Sequence, residues 1–200
     1  MRTLTYGAAC SLDGFIAGPN DEIDWLHFSR DVHRMMADYW KTIDTLLMGR
    51  KTYEVAAQQA GGPNFQGMRA YVFSRTLDAS PPGAQLVSDD AGEFVRGLKQ
   101  QPGKGIGVFG GGDFGRSLFE AGVVDEVKLN VHPVLLGSGV PLFRDAGRIA
   151  LTLGDCRVID GGCILASYRV AQPSRRQSRR TVTQSDGRSR RKPAAGRRGR

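Results

Sequence analysis

The sequence predicts an α/β fold in which helices flank a mixed, mostly parallel sheet that ends in an antiparallel hairpin. Short apolar runs alternate with amphipathic segments of helical period over residues 4–131. Two of these runs end in glycine turns that lead into a helical segment. The last two strand-like segments flank Asp160-Gly161-Gly162, a turn typical of a hairpin. Alternating strands and helices followed by a hairpin favour a mixed sheet.

The first elements follow from residue spacing and one capping residue. Leu4–Ser11 combines apolar and small residues and predicts a central strand. Residues 12–28 are rich in Gly, Pro, Asn and Asp and predict a long loop. Ser29 is of a type that caps helices, and a helical apolar period follows it to about Lys41.

The rest of the chain continues this alternation. The strands are predicted from buried apolar runs, and the helices from apolar residues three and four positions apart. The predicted strands are residues 45–48, 70–73, 85–87, 106–109, 123–131, 149–159 and 163–170. The predicted helices are residues 50–59, 91–100 and 114–121.

The positive charge is concentrated at the C-terminus. Of 28 Lys and Arg and 20 Asp and Glu, residues 171–200 hold eleven of the bases and one acid. Residues 1–170 therefore carry 17 basic and 19 acidic side chains, close to neutrality, and are long enough for one domain with a sizeable core. Residues 171–200 contain few large apolar side chains, which predicts a disordered Arg-rich tail.

Cysteine content and the N-terminal segment argue against a disulfide-rich, metal-binding, secreted or membrane-anchored protein. Cys10, Cys156 and Cys163 have neither the even number of a disulfide framework nor a metal-binding spacing. The N-terminal segment lacks the long apolar run of a signal peptide or membrane anchor. We therefore expect a cytoplasmic protein with no bound metal.

Two glycine turns carry most of the chemical information. The first is Met48-Gly49-Arg50-Lys51-Thr52 and the second is Phe109-Gly110-Gly111-Gly112-Asp113. Each is predicted to open a helix, where unpaired backbone N–H groups and the helix dipole favour anions. Two phosphate-binding turns in one small domain indicate a dinucleotide, and a dinucleotide indicates a reductase.

The second turn also satisfies the G-x-G-x-x-G pattern of Rossmann domains through Gly110, Gly112 and Gly115. In a Rossmann domain this pattern lies in the first βαβ unit, with an acid about 20 residues later at a strand end. Here the turn comes late, and residues 127–130 offer no such acid. A Rossmann domain is therefore disfavoured, whereas a purely structural turn without a ligand stays open.

Six motifs follow one another in a specific order and spacing. They are SLDGFIA (11–17), MGRKTYE (48–54), FSR (73–75), FGGG (109–112), AGVVDE (121–126) and PVLLGSGVPLF (133–143). Over about residues 2–170 the sequence resembles the dihydrofolate reductase-like family, in the branch of the reductase domain of riboflavin-biosynthesis deaminase–reductases. The resemblance implies that family's α/β fold and an NADPH cofactor.

The resemblance also implies which residues hold the adenosine end of NADPH. Gly49, Arg50, Lys51 and Thr52 follow the second predicted strand, and the Arg50 guanidinium suits a phosphate. Ser74 and Arg75, at the end of the next strand, would lie beside the adenosine 2′-phosphate, which favours NADPH over NADH. The alternative is a capped helix with solvated arginines.

Other parts of the cofactor are assigned in the same way. The resemblance implies that the backbone of Gly110, Gly111 and Gly112 approaches the pyrophosphate, with Asp113 in the same cofactor-binding segment. It implies further that the Ala9 backbone meets the nicotinamide carboxamide and that Ile16 packs near the ring.

The substrate side is less specific. Dihydrofolate reductases carry a carboxylate on the helix after the first loop, which makes Asp31 the candidate catalytic residue. Its alternative role is to stabilise the helix dipole from the first turn. Riboflavin-pathway reductases usually place an acidic substrate contact just before the glycine turn, where this sequence has Phe109.

We therefore expect an NADPH-dependent reductase that transfers a hydride to a small pyrimidine- or pterin-like heterocycle, similar to 5-amino-6-(5-phosphoribosylamino)uracil reductase. A dihydrofolate reductase is the alternative enzyme. The alternative outside enzymes is a nucleic-acid-associated protein that acts through its basic tail. The family resemblance also implies a homodimer.

Overall fold

The computed structural model describes residues 1–58, 65, 67–110, 112–143 and 147–171. The helices in these ranges are α1 (Arg30–Thr42), α2 (Arg50–Gln58), α3 (Ala91–Gln100) and α4 (Gly112–Glu120). The first strands are β1 (Leu4–Ser11), β2 (Phe15–Ala17), β3 (Ile43–Gly49), β4 (Arg69–Phe73) and β5 (Gln85–Val87). The later strands are β6 (Gly105–Phe109), β7 (Glu126–His132), β8 (Val140–Pro141), β9 (Leu151–Val158) and β10 (Ile164–Val170).

Eight of these strands form one sheet of order β5-β4-β3-β6-β1-β7-β10-β9. The first six in that order are parallel, whereas β10 pairs antiparallel with both β7 and β9. Gly161 (φ +79°) and Gly162 (φ +73°) turn the β9-β10 hairpin through a conformation that favours glycine. The predicted mixed sheet with a C-terminal antiparallel hairpin is therefore confirmed.

The N-cap prediction for α1 is also confirmed. Ser29 has an extended backbone, and its hydroxyl accepts a hydrogen bond from the Val32 amide at 3.2 Å. Asp90 caps α3 in the same way by accepting from the Glu93 amide at 2.8 Å. Each cap satisfies one of the N–H groups that a helix leaves unpaired at its start.

Different side chains cover the two faces of the sheet. On one face, fully buried Leu4, Tyr6 and Val108 join a core with residues of α3 and α4, and Tyr6 meets Phe119 edge to face at 5.2 Å. The opposite face, which we call the α1 face, carries Phe109, and α1 stacks its Trp40 ring on it at 5.1 Å. The site described below lies where these layers reach one edge of the sheet.

Several predicted bounds were wrong. The predicted loop 12–28 contains β2, which pairs with β8 more than 120 residues away, so local composition does not reveal it. Strand β7 begins at Glu126 instead of residue 123, because the Val123 amide donates to the Leu118 carbonyl of α4 at 3.2 Å and not to a neighbouring strand. Helix α4 begins at Gly112 instead of residue 114, and β9 at Leu151 instead of residue 149.

Some predictions lie outside the described residues. These are the last predicted residue of α2, the glycine-rich turn at residues 61–64, and all of the predicted tail from residue 172 onward. Within the described ranges, no helix is long and apolar enough to cross a membrane.

Candidate active site

The six parallel strands end at one edge of the sheet, which we call the carboxyl edge. Strand β3 connects through α2 to β4 on one side, whereas its neighbour β6 connects through α4 to β7 on the other side. The chain therefore changes direction between β3 and β6. In open α/β sheets this kind of switch point is where ligands bind, because the diverging loops leave a crevice.

The two glycine turns meet at this switch point. Gly110 has φ +92°, and a Cβ built on it would overlap the side-chain hydroxyl of Thr52. A Cβ on Gly49 would lie 3.2 Å from the Cβ of Phe114, which belongs to α4. The starts of α2 and α4 are therefore side by side, and glycine is needed for this close approach.

The second turn presents its backbone to open space. Gly112 has φ +64°, and among the described residues, apart from its chain neighbours and the backbone of its own helix, no atom lies within 4 Å of where its Cβ would be. Asp113 is exposed in the first turn of α4, with a carboxylate oxygen 3.8 Å from Arg116. The predicted contact at Gly111 lies outside the described residues.

In the first turn, one of the predicted cations is already paired. The Arg50 guanidinium donates to the Glu54 carboxylate at 2.7 Å, one helical turn further along α2. Lys51 is exposed and Thr52 is half-buried. Arg50 would have to leave Glu54 to bind a phosphate, and an exposed pair of this spacing is worth only about 0.3–0.5 kcal/mol.

The turn after β4 lies beside the first turn, because β4 pairs with β3 up to Gly49 and Phe73. The Ser74 hydroxyl accepts hydrogen bonds from the amides of Thr76 (3.1 Å) and Leu77 (3.2 Å) and so shapes the turn. Arg75 is exposed within that turn. A cation is thus held at the carboxyl edge, one strand away from the switch point.

Strand β1 extends beyond its neighbour β6. Their last paired residues are Gly7 and Phe109, whereas β1 continues to pair with β7 as far as Ser11 and His132. The backbone of residues 8–11 therefore has no strand partner on the β6 side. Ala9 lies in this overhang and is half-buried, which leaves backbone polar groups available to a ligand.

A small two-stranded sheet stands over the end of β1. Phe15 pairs with Pro141, and Ala17 pairs with Val140. Ile16, between them, is half-buried and packs against the main core. Gly139 (φ +147°) has no room for a side chain, because a Cβ there would overlap the Ala17 carbonyl oxygen.

Asp13 fastens this small sheet to the loop that follows β7. Its carboxylate accepts hydrogen bonds from the amides of Leu136 (3.1 Å) and Gly137 (2.7 Å) and from the Ser11 hydroxyl (2.6 Å). The Ser11 hydroxyl and the Gly137 amide, in that order, hold the pKa of Asp13 below its ordinary value. Sequence reasoning missed these contacts, because the two amides lie more than 120 residues away from Asp13.

The candidate catalytic residue Asp31 lies at the start of α1. Its side chain is 34% exposed, with an oxygen 3.9 Å from Arg34. It also accepts from the amide of Asp160, in the β9-β10 turn, at 3.4 Å. Asp31 is therefore next to the hairpin, and its role toward a substrate stays a prediction.

Sequence reasoning also missed the polar character of a cluster at the end of β7. His132 is buried, with its Nε2 3.1 Å from the Asn130 amide and its Nδ1 3.5 Å from the Cys163 sulfur. The His27 amide donates to the same Nδ1 at 3.3 Å, and the Trp25 ring meets the imidazole edge to face. The available signal was weak, because Asn130 and His132 continue the alternation of polar and apolar residues that begins at Glu126, and only their burial distinguishes them.

Burial governs the protonation of this cluster. Desolvation lowers the pKa of His132, and the nearby His27 lowers it further. Desolvation also raises the pKa of the Cys163 thiol. Both groups are therefore neutral near pH 7, and the cluster acts through hydrogen bonds instead of charge.

The described ranges contain no candidate metal centre, and one cavity lies away from the carboxyl edge. No group of three His, Cys, Asp or Glu side chains in the described ranges could hold a metal ion. A cavity of about 670 Å³ lies beside α1 and the start of β3, lined by Met36, Trp40, Met68 and Lys104 among others. None of the predicted site residues lines this cavity. The candidate cofactor-binding residues lie instead at the carboxyl edge of the sheet.

Comparison with known proteins gives a consistent family. Residues 2–165 match the family model described as the RibD C-terminal domain. The chain is 35% identical over 180 residues to the uncharacterized protein YyaP of Bacillus subtilis (strain 168), covering 84% of this chain and 95% of YyaP.

Solved structures share the fold. A putative riboflavin biosynthesis protein from Shewanella sp. PV-4 has a TM-score of 0.75 at 24% identity, covering 84% of this chain and 99% of that one. A diaminohydroxyphosphoribosylaminopyrimidine deaminase/5-amino-6-(5-phosphoribosylamino)uracil reductase from Thermotoga maritima has a TM-score of 0.64 at 16% identity. That match covers 85% of this chain and 57% of the bifunctional protein.

Proposed function

The chain belongs to the RibD C-terminal domain family, and from this premise we propose that it is an NADPH-dependent reductase of a small heterocycle. Its fold is the dihydrofolate reductase-like α/β fold of that family. The observation that carries the proposal is the meeting of two glycine turns at the switch point between β3 and β6, through Gly110 and Thr52.

The switch point supports binding of a pyrophosphate. The backbone of Gly112 faces open space at the start of α4, where amide groups and the helix dipole favour an anion. Thr52 lies against Gly110 and can donate its hydroxyl to the same anion. We expect Asp113 to contribute its backbone amide, because its carboxylate would repel a phosphate.

The neighbouring turn supports the choice of NADPH over NADH. Arg75 is exposed at the carboxyl edge, and a planar guanidinium binds a phosphate through two parallel hydrogen bonds. Ser74 is less available, since its oxygen already accepts from two backbone amides. Arg75 is therefore the residue that we expect to discriminate the adenosine 2′-phosphate.

The overhang of β1 supports a place for the nicotinamide. Bound NADPH would supply the hydride, and the unpaired backbone of Ala9 would orient its carboxamide. Ile16, in the small sheet fastened by Asp13, would exclude water from the ring. The chain's own contribution is thus orientation and exclusion of water, which is what hydride transfer chiefly requires.

We also propose a homodimer. Strand β9 lies at the edge of the sheet, and all eight of its residues are exposed. They include the apolar Leu153 and Val158, which are 56% and 73% exposed. An exposed apolar edge strand promotes pairing with another chain unless it is covered. A second copy that pairs along β9 would remove this edge.

Titration with NADPH and NADH tests the proposed function. We expect saturable binding of NADPH, and Arg75→Gln to raise its Kd about tenfold while the Kd of NADH stays within a factor of two. Arg96→Gln is the matched control, since Arg96 donates to Ala121 from α3 and belongs to no glycine turn. Absence of saturable NADPH binding by the unmodified protein would refute the proposal.

A further inference from the structure

On the α1 face, the overhang of β1 has an aromatic side chain on one side and an amide side chain on the other. Gly7 is in register with Phe109 of β6, and Ala9 is in register with Asn130 of β7. Side chains opposite each other in a parallel sheet point to the same face. Between the Phe109 ring and the Asn130 amide, β1 therefore presents only a hydrogen atom and a methyl group.

Asn130 has a buried polar atom without a partner. Its residue is 7% exposed, and its Oδ1 makes no hydrogen bond with the described residues. A buried amide that lacks one partner costs about 1–3 kcal/mol of unmade hydrogen bonding. Phe109, on the other side of Gly7 and Ala9, has no hydrogen-bonding group in its side chain, whereas Asn130 does.

The surroundings of His132 determine which end of the Asn130 amide is free. The His27 amide can only donate, so His132 Nδ1 must accept, and the Cys163 thiol approaches the same nitrogen. The proton of the neutral imidazole is then on Nε2, 3.1 Å from the Asn130 amide.

An Nε2–H group needs an acceptor, and within Asn130 the acceptor is Oδ1. The oxygen and nitrogen of a side-chain amide are assigned from such networks. The amide is therefore turned so that Oδ1 accepts from His132. The buried group without a partner is then the NH2 of Asn130, which is a donor.

From these contacts we propose that Asn130 binds the substrate by donating a hydrogen bond to a ring carbonyl or an unprotonated ring nitrogen of a heterocycle that lies over Ala9. His132 is the positioning residue that fixes the amide. The inference rests on the proposed function, because it places the substrate beside the overhang of β1. It restricts the substrate class to heterocycles that present an acceptor at this position.

Asn130→Asp is the sharpest variant for the test. Aspartate keeps the size of the side chain and an oxygen for His132 Nε2–H, but it replaces the free donor by an acceptor. Glu126→Gln is the matched control, because it is on the same strand and the same face and keeps an acceptor for the Thr5 hydroxyl. The probes are dihydrofolate and diaminouracil, both of which carry ring carbonyls.

We expect Asn130→Asp to raise the Kd of the probe that the unmodified protein binds at least tenfold, with the Kd of NADPH within a factor of two. The control should leave both constants unchanged. An unchanged probe affinity in Asn130→Asp would overturn the inference, and so would a protein that binds NADPH and neither probe.

Nitrogen-15 NMR of the free protein gives a readout that needs neither NADPH nor activity. We expect the His132 imidazole in the Nε2–H form, and an Nδ1–H form would overturn the amide orientation. Failure of NADPH to bind would instead refute the proposed function, while the NMR result on His132 and Asn130 would still stand.

Discussion

The backbone of Gly110 lies directly against the side-chain hydroxyl of Thr52. This contact joins the turn after β6 to the turn after β3 and brings two helix starts to one point of the carboxyl edge. The two turns therefore form one continuous surface, whereas the sequence alone presents them as two separate turns. A change at either residue alters the geometry of both helix starts.

Substitution of Gly110 tests this contact. Gly110→Ala forces a methyl group into Thr52 and also places a Cβ on a residue with φ +92°. The backbone strain alone costs about 1–2 kcal/mol, and the overlap adds to it. Chemical denaturation should show a loss in the free energy of unfolding above that range.

Gly112→Ala is the control for this substitution. Gly112 also has positive φ (+64°), but open space surrounds it, so its substitution carries only the strain. Equal losses in free energy of unfolding for the two variants would contradict the contact between the turns.

Removal of the Asp13 carboxylate should loosen the loop after β7. Asp13→Ala takes away the acceptor for the Leu136 and Gly137 amides, and we expect their hydrogen exchange to accelerate at least tenfold. Mass spectrometry of the segment 134–139 measures this. Asp24→Ala removes an exposed carboxylate from residues 12–28, the segment that also contains Asp13, and should leave the exchange rate unchanged. Equal acceleration in both variants would refute the role of Asp13.

Release of Arg50 should strengthen binding of NADPH. Glu54→Gln removes the ion pair at 2.7 Å that holds the guanidinium on α2. Because such an exposed pair is worth about 0.3–0.5 kcal/mol, the Kd of NADPH should fall by a factor of about two. The gain should disappear in the double variant Arg50→Gln/Glu54→Gln, and a gain that persists there would show that Arg50 does not bind the cofactor.

The buried His132 should make stability depend on pH. Its pKa is lowered from the ordinary value of 6.5, so the unfolded chain binds more protons than the folded one just below pH 6.5. The contribution to stability is therefore complete above pH 6.5 and is lost as the pH falls toward the lowered pKa. Protonation would also break the hydrogen bond that Nδ1 accepts from His27.

Denaturation curves between pH 7.5 and 5 measure this contribution. We expect the free energy of unfolding to fall more steeply with decreasing pH in the unmodified protein than in His132→Gln. Parallel pH profiles for the two proteins would contradict a lowered pKa at His132.

Local sequence patterns predicted the elements that neighbouring residues determine. The apolar run of β1, the cap at Ser29 and the glycines of the β9-β10 turn predicted their structures without any long-range information. The order of the motifs also predicted the family, which the match over residues 2–165 confirms. The disordered tail, the homodimer and the choice of NADPH stay predictions.

The sequence did not predict contacts between distant segments. The pairing of β2 with β8 and the bonds from Asp13 to Gly137 join residues more than 120 positions apart, and no local pattern encodes them. The ion pair of Arg50 with Glu54 was not predicted, although its i, i+4 spacing is typical of ion pairs on a helix. The hydrogen bonds of Asn130 were not visible, because they depend on the tautomer of a neighbouring imidazole.

The most direct test of a shared cofactor surface is an NMR titration of the free protein with NADPH, observed at the backbone amides of Thr52 and Gly112. We expect both signals to shift along one binding curve with a single Kd, and we expect adenosine 2′,5′-bisphosphate to compete. Saturable shifts at only one of the two amides, or at neither, would contradict a shared cofactor surface.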